Sequence, residues 1–397
     1  MNKLTIRDID VDCKRVLVRV DSNVPIDEKT GSITDDTRIQ AALPTIRYLI
    51  ARQARVILIS HLGRPKGKVV ETLRLTPVAQ RLSQILGQQV GVATNCIGSE
   101  VEKSVESLRS GEALLLENLR FHSDEETGSA SFAKALARLG DIFVNDAFGT
   151  SHRDHASIAG IADYLPAVAG LLLEKEVDTL GSILKNPAHP FALLLGGAKV
   201  SDKVALLENI IDRVDTILIG GGMAATFLKA EDYKVGLSSV EEDRLDFAVQ
   251  LMEGAAKRGV RFLLPVDVAV ANETSNEAEV ETLSIENIPQ HMKIVDIGPQ
   301  TIKNFADELR RCKTVFWNGP MGIHEIPRFA GGTKYIAELL ASIGATTIIG
   351  GGSTAEVAIE LKLADKMTFV STGGGASLKF LSGETLPGVE ALMDKKP

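Results

Sequence analysis

Short apolar runs recur along the chain, each followed by a polar loop and then by apolar residues spaced three and four apart. This is the alternation of strand and helix expected of an α/β protein. In the first half the pattern predicts strands over 14–20 (KRVLVRV), 55–60 (RVILIS), 90–93, 113–116 and 142–145. Helices are predicted within 35–54, where Ile39, Leu43, Ile46 and Ile50 share a face, and over 76–86, 101–108 and 131–139. A helix over 171–184 (LLLEKEVDTLGSIL), stopped by Asn186-Pro187, falls near the middle. The second half repeats the style, with strands over 192–195, 216–219, 261–264, 313–317, 346–349 and 367–370 and a helix over 241–257. Residues 272–286 are polar and acidic and are expected to be irregular or an edge hairpin. Repeated strand and helix units imply largely parallel sheets covered on both faces, with ligands beyond the carboxyl ends of the strands. The expectation is two α/β lobes joined at the central helix, each presenting an anion site to the other.

Composition narrows the classes. A chain of 397 residues with 44% hydrophobic content can build two or three cores. A formal charge of −8 argues against general nucleic-acid binding. Cys13, Cys96 and Cys312 are too scattered for a disulfide scaffold or a metal knuckle, and suggest a reducing compartment. The N-terminus lacks an apolar signal core and there is no run of 18 apolar residues, so the expectation is a cytoplasmic protein without a membrane partner.

Against that acidic background the strand-end loops of the first half carry Arg19, Arg38, Arg64, Arg120 and Arg153, with His61, His122, His152 and His155 in the same loops. Arginine forks suit bidentate recognition of carboxylate or phosphate, so the set is expected to form an anion pocket. The bland alternative pairs each arginine with an acid such as Asp21 or Asp154, and Arg19 is also compatible with a structural role. Asp21 and Asn23 suit a hydroxylated substrate or an Asx-turn before Pro25.

The second half carries a different chemistry. GGGMAA (220–225) and GGGSTA (350–355) follow apolar strands, and STGGGAS (371–377) adds a third glycine loop, together a bed for several phosphates. Neither G-x-G-x-x-A match is followed by a convincing ribose-binding acid, which disfavours NAD, and no Walker spacing exists. In LLGGAKVSDK, Lys199 and Lys203 are four apart at the start of an expected helix, placing two ammonium groups on one face for a migrating phosphoryl group. Glu325 suits a ribose or a metal-bound water. Phe316 and Trp317 are expected in the core.

Taken together, RVDSNVP, SHLGRP, LLLENLRFH, FGTSHRDHAS, LLGGAKVSDK, GGGMAATF, FWNGPMGIHE and STGGGASLKF resemble the phosphoglycerate kinase family, in order and over nearly the whole chain. The resemblance implies two Rossmann-like parallel-sheet domains separated by a deep hinged cleft. It implies a phosphoglycerate-binding domain over 1–170 with the tail 388–397 packing back on it, an interdomain helix over 171–185, and a nucleotide-binding domain over 186–387. The implied reaction is reversible phosphoryl transfer between 1,3-bisphosphoglycerate and ADP, giving 3-phosphoglycerate and ATP, in line and within the closed cleft of a monomer. It places Asp21, Asn23, Arg38, His61, Leu62, Gly63, Arg64, Arg120 and Arg153 around the phosphoglycerate, with Arg38, Lys199 and Lys203 catalytic. Gly197, Lys203, Gly221, Asn318, Glu325, Gly351, Gly352, Ser353, Thr354, Gly373 and Gly374 would line ATP or ADP, accompanied by Mg²⁺.

One departure matters: the family commonly has aspartate where Ser353 stands, so no direct metal ligand is assigned and Ser353 occupies the magnesium-positioning place. Asp154 and His324 also replace commoner Ala and Phe, with no cost assigned. Two alternatives compete with the kinase: a nucleotide- or dinucleotide-dependent α/β enzyme, suggested by the glycine loops, and a regulatory scaffold retaining the architecture, suggested by Ser353.

Overall fold

A computed structural model describes residues 1–27 and 29–396. The described chain divides into two compact units, one comprising Met1–Asp178 and the C-terminal segment from Thr385, the other Thr179–Glu384. The division falls inside the helix Leu171–Lys185.

In the first unit, β1 (Arg15–Arg19), β2 (Arg55–Ile59), β3 (Val90–Val92), β4 (Ala113–Leu115), β5 (Ile142–Asn145) and β6 (Ala167–Ala169) form one sheet in the order β3-β4-β2-β1-β5-β6. Every pairing is parallel. The strands are short and apolar because helices cover both faces: Val16, Val18, Val56, Leu58 and Val144 pack with Ile39, Ile46 and Leu49 of the helix Thr37–Ala51. The helix Thr76–Leu86 starts with Pro77 in its first turn and stops at Gly87, whose φ of 70° closes the last turn. The chain runs from β1 outwards through β2 to β3, returns through β4, and crosses to β5 on the other side of β1, so the order reverses beside β1 and the loops after β1, β2 and β5 lie at that crevice.

The second unit repeats the plan with β7 (Phe191–Leu195), β8 (Thr216–Ile219), β9 (Arg261–Leu263), β13 (Thr314–Asn318), β14 (Thr346–Gly350) and β15 (Phe369–Val370), ordered β15-β14-β13-β7-β8-β9 and all parallel. Trp317 and Phe316 are fully buried, as strand aromatics.

A third sheet departs from the sequence pattern. β10 (Asp267–Ala271), β11 (Glu281–Ser284) and β12 (Lys293–Ile297) pair antiparallel in the order β11-β10-β12. The expected edge hairpin is part of this sheet, and β10 and β12 were not foreseen. Its apolar face, with Val268, Val270, Ile285 and Ile288, covers Ala225 and Leu228 of the helix Ala224–Ala230. No helix among the described residues is long and apolar enough to cross a membrane.

Candidate active site

The loops at the switch point of the first sheet carry the predicted anion-binding residues. Arg19, the last residue of β1, is 1% exposed and fully engaged: Nε donates to Ser157 Oγ at 3.0 Å, Nη1 to the Val20 carbonyl, and Nη2 to His61 Nδ1 at 3.2 Å. It is a structural member of the cluster. Arg38, on the helix that follows β1, donates through Nη1 to Asp21 Oδ2 at 2.7 Å, and Asp21 Oδ1 accepts from the Asn23 N–H at 3.2 Å. Both bland alternatives are therefore seen here, an ion pair and an Asx-turn. Asn23 Oδ1 accepts from the Gly63 N–H at 2.8 Å, and the Gly63 carbonyl accepts from Arg120 Nη1 at 2.9 Å. Leu62 is buried and held by Asn118, whose amide donates to its carbonyl at 2.8 Å. Arg64 is exposed, close enough to Arg120 to disfavour its charge.

The convergence is electrostatically costly. Burial, followed by Arg19, Arg120, Arg153 and Arg38, holds the His61 pKa well below its usual value. Burial with Arg120, Arg153 and Arg19 brings His155 to about 4. His61 is thus neutral, and because Nδ1 accepts from Arg19, its proton is on Nε2, ready to donate. Arg120 Nε lies 3.3 Å from Glu126 Oε1, while two further donors, Arg120 Nη2 and Arg153 Nε, are buried without a hydrogen-bond partner. Buried guanidinium donors rarely remain unpaired, and several repelling cations at one crevice are stabilised by a bound polyanion. Asn23, Leu62 and Gly63 also border a separate pocket of about 540 Å³ with Leu73 and Pro77.

In the second unit the loops after β7, β8 and β13 enclose a pocket of about 510 Å³ lined by Gly197, Lys199, Gly221, Glu325 and Ser353. Gly221 is required by geometry: its φ is +64°, and a Cβ there would lie 2.5 Å from the Gly197 nitrogen and 2.7 Å from the Pro320 carbonyl. Asn318 and Thr354 stand behind this wall. Thr354 is fully buried and its hydroxyl accepts from the Gly319 N–H at 2.7 Å, while the Asn318 amide packs on Gly351. Gly352 is exposed at the start of the helix Gly352–Glu360. Gly373 and Gly374 lie in the loop after β15, where the Gly373 N–H donates to Ser371 Oγ, and they do not line the pocket.

The lysine pair corrects the expected helix face. Ser201–Lys203 is a 3₁₀ turn and the α-helix begins only at Val204, so Lys199 and Lys203 do not share an α-helical face. Lys199 is exposed and lines the pocket, whereas Lys203 is buried with Nζ 3.6 Å from the point a Cβ on Gly197 would occupy. Burial lowers the Lys203 pKa, and Asp202 and Glu241 oppose that effect.

Several lining residues escaped the sequence reading: Ser238, Ser239, Glu241, and Lys293, Ile294 and Val295 of β12. For β12 a signal existed, since KIVDI is an apolar run ended by Gly298-Pro299. The two serines and Glu241 carry no local signal; they reach the pocket because the small sheet packs beside the helix Ala224–Ala230.

Comparison with known proteins agrees with this geometry. A family model described as phosphoglycerate kinase matches residues 6–384. The chain is 53% identical over 395 residues to a phosphoglycerate kinase of Pelotomaculum thermopropionicum and 52% identical over 395 residues to one of Moorella thermoacetica, covering 100% of each chain in both cases. Among solved structures it is similar to phosphoglycerate kinase from Coxiella burnetii (TM-score 0.87, 42% identity) and from Pyrococcus horikoshii (TM-score 0.87, 32% identity), with 98% of each chain covered. An arginine crevice and a glycine-walled pocket on two parallel sheets, with relatives this similar along their full length, show that the chain belongs to the phosphoglycerate kinase family.

Proposed function

We propose that the arginine crevice of the first unit binds the phosphoglycerate and the glycine-walled pocket of the second binds ADP or ATP. The family's reaction is the reversible transfer of a phosphoryl group between 1,3-bisphosphoglycerate and ADP, giving 3-phosphoglycerate and ATP. On this assignment residues 1–170 with 388–397 serve the phosphoglycerate, 186–387 serve the nucleotide, and the helix 171–185 links them. The observation that carries the substrate half is the pair of buried, unpartnered donors on Arg120 and Arg153.

On this reading Arg38, whose Nη1 donates to Asp21, meets the reacting carboxylate or acyl phosphate. His61 adds a neutral N–H donor, so it orients an oxygen without adding charge. Lys203 supplies a buried ammonium beside Gly197, and Lys199 an exposed one at the pocket. Transfer of this kind depends on alignment and preorganised positive charge rather than on a covalent intermediate with the chain, and exclusion of water protects the mixed anhydride.

No group of three or more His, Cys, Asp or Glu poised for a metal exists among the described residues. The pocket's oxygen donors, Ser353 among them, would suit a magnesium ion carried mainly by nucleotide phosphates and water. When bound with the nucleotide, magnesium supplies neutralisation of phosphate charge.

A coupled assay supplying 3-phosphoglycerate, ATP and Mg²⁺ tests the assignment, with turnover expected. Arg153→Ala should lower kcat/KM for 3-phosphoglycerate by about 100-fold while leaving the nucleotide dissociation constant within about threefold, since a charged bidentate contact is lost. Absence of turnover in the unsubstituted protein would refute the function, and an unaffected Arg153→Ala would remove the crevice as the substrate site.

A further inference from the structure

Glu241 lines the nucleotide pocket, yet its carboxylate accepts three hydrogen bonds from one short turn. Oε2 accepts from the Val200 N–H at 2.5 Å and the Ser201 N–H at 3.2 Å, and Oε1 accepts from the Ser201 hydroxyl at 2.5 Å. These donors lie between Lys199 and Lys203, at the start of the 3₁₀ turn Ser201–Lys203, where backbone N–H groups lack a partner within the turn. The Glu241 N–H in turn donates to Thr226 Oγ1 at 3.1 Å, on the helix that follows the Gly220, Gly221 and Gly222 loop. One residue thus ties the lysine turn to the glycine loop. A carboxylate at a polyphosphate pocket repels its ligand, so its presence there calls for a compensating use.

We infer that Glu241 is a positioning residue for phosphoryl transfer, clamping the turn 199–203 so that Lys203 stays seated beside Gly197 and balancing the lysine charge before nucleotide arrives. This rests on the pocket being the nucleotide site. The charged groups acting on Lys203 are Asp202 and Glu241, and Lys199 acts on Glu241. Removing the Glu241 charge therefore takes away one of the two influences that keep the Lys203 ammonium protonated against burial.

The test uses the full-length protein with Glu241→Gln and Ser201→Ala, reading kcat, KM for 3-phosphoglycerate, the ADP dissociation constant by calorimetry, and the pH profile of kcat. For Glu241→Gln, kcat should fall about tenfold, both binding constants should stay within about twofold, and the alkaline limb should move to lower pH. Ser201→Ala retains the charge, so kcat should fall by about threefold with the alkaline limb unmoved. A Glu241→Gln enzyme with wild-type kcat, or with an unmoved alkaline limb, or with ADP affinity lost in parallel with kcat, would overturn the inference. If Glu241→Gln does not fold, an unchanged kcat in Ser201→Ala overturns it alone. A wild-type chain without turnover would instead defeat the proposed function.

Discussion

His61 and Lys203 show opposite uses of burial at the level of single residues. Burial and the surrounding guanidinium groups keep His61 neutral, which makes it a fixed donor. Lys203 is buried beside two acids that oppose loss of its proton. Ser353 stands where the sequence resemblance leads one to expect an aspartate. It is exposed on the pocket wall and offers one neutral oxygen. Ser353→Asp should lower the magnesium concentration needed for half-maximal ADP binding and for turnover by about threefold to tenfold, because a carboxylate attracts a hydrated dication that a hydroxyl does not. A magnesium titration of ADP binding, followed by calorimetry, checks this apart from activity. Unchanged metal dependence would remove Ser353 from the explanation.

At the scale of elements, the strand-to-helix turns of both parallel sheets were readable because short buried strands and amphipathic helices have different periods. The helix Leu171–Lys185 runs one residue beyond the 171–184 span read from the sequence pattern. The lysine turn was misread because i and i+4 spacing implies a shared face only on an α-helix, and the tight glycine exit from β7 leaves a 3₁₀ turn first. Of the antiparallel sheet, β10 and β12 were missed because each is only five residues long, and β11, within the expected edge hairpin, shows almost no apolar face. Gly221 gives the element-scale prediction. Gly221→Ala places a methyl group against the Gly197 nitrogen and the Pro320 carbonyl at positive φ. It should destabilise the second unit by about 2–3 kcal/mol in urea unfolding and weaken ADP binding more than 3-phosphoglycerate binding. Wild-type stability and ADP affinity would show that the two loops separate without cost.

On the scale of the molecule, each unit has its own parallel sheet and its own buried carboxyl group. In the first, Asp146 Oδ1 accepts from the Leu172 and Leu173 N–H groups at 2.9 and 3.2 Å, at the start of the helix Leu171–Lys185. In the second, Asp296 on β12 accepts from the Gly332 N–H at 2.7 Å and the Ile297 N–H at 2.9 Å. Burial raises both to about 7 against their hydrogen bonds, from an ordinary value of 3.8. A carboxyl with a folded pKa above its unfolded one stabilises most below the unfolded value, and that contribution is lost as pH rises from about 4 to about 7. In calorimetry, the Tm of Asp296→Asn relative to wild type should therefore increase from pH 5 to pH 8, an effect on the order of a few kcal/mol. A difference independent of pH would mean that Asp296 is ionised in the folded state throughout.

Sequence alone determined the α/β class, the strand-end loops that carry chemistry, and the family, because periodicity and the order of short motifs are properties of the chain itself. It also singled out Arg38, His61, Arg120 and Arg153 as anion-binding candidates. Only tertiary structure decided that Arg19 is consumed as scaffold, that Lys203 is buried while Lys199 is exposed, and that Glu241 reaches the turn between them. Those outcomes depend on which loops a sheet's strand order brings together and on how far each charge is removed from water, and neither quantity is written in local spacing.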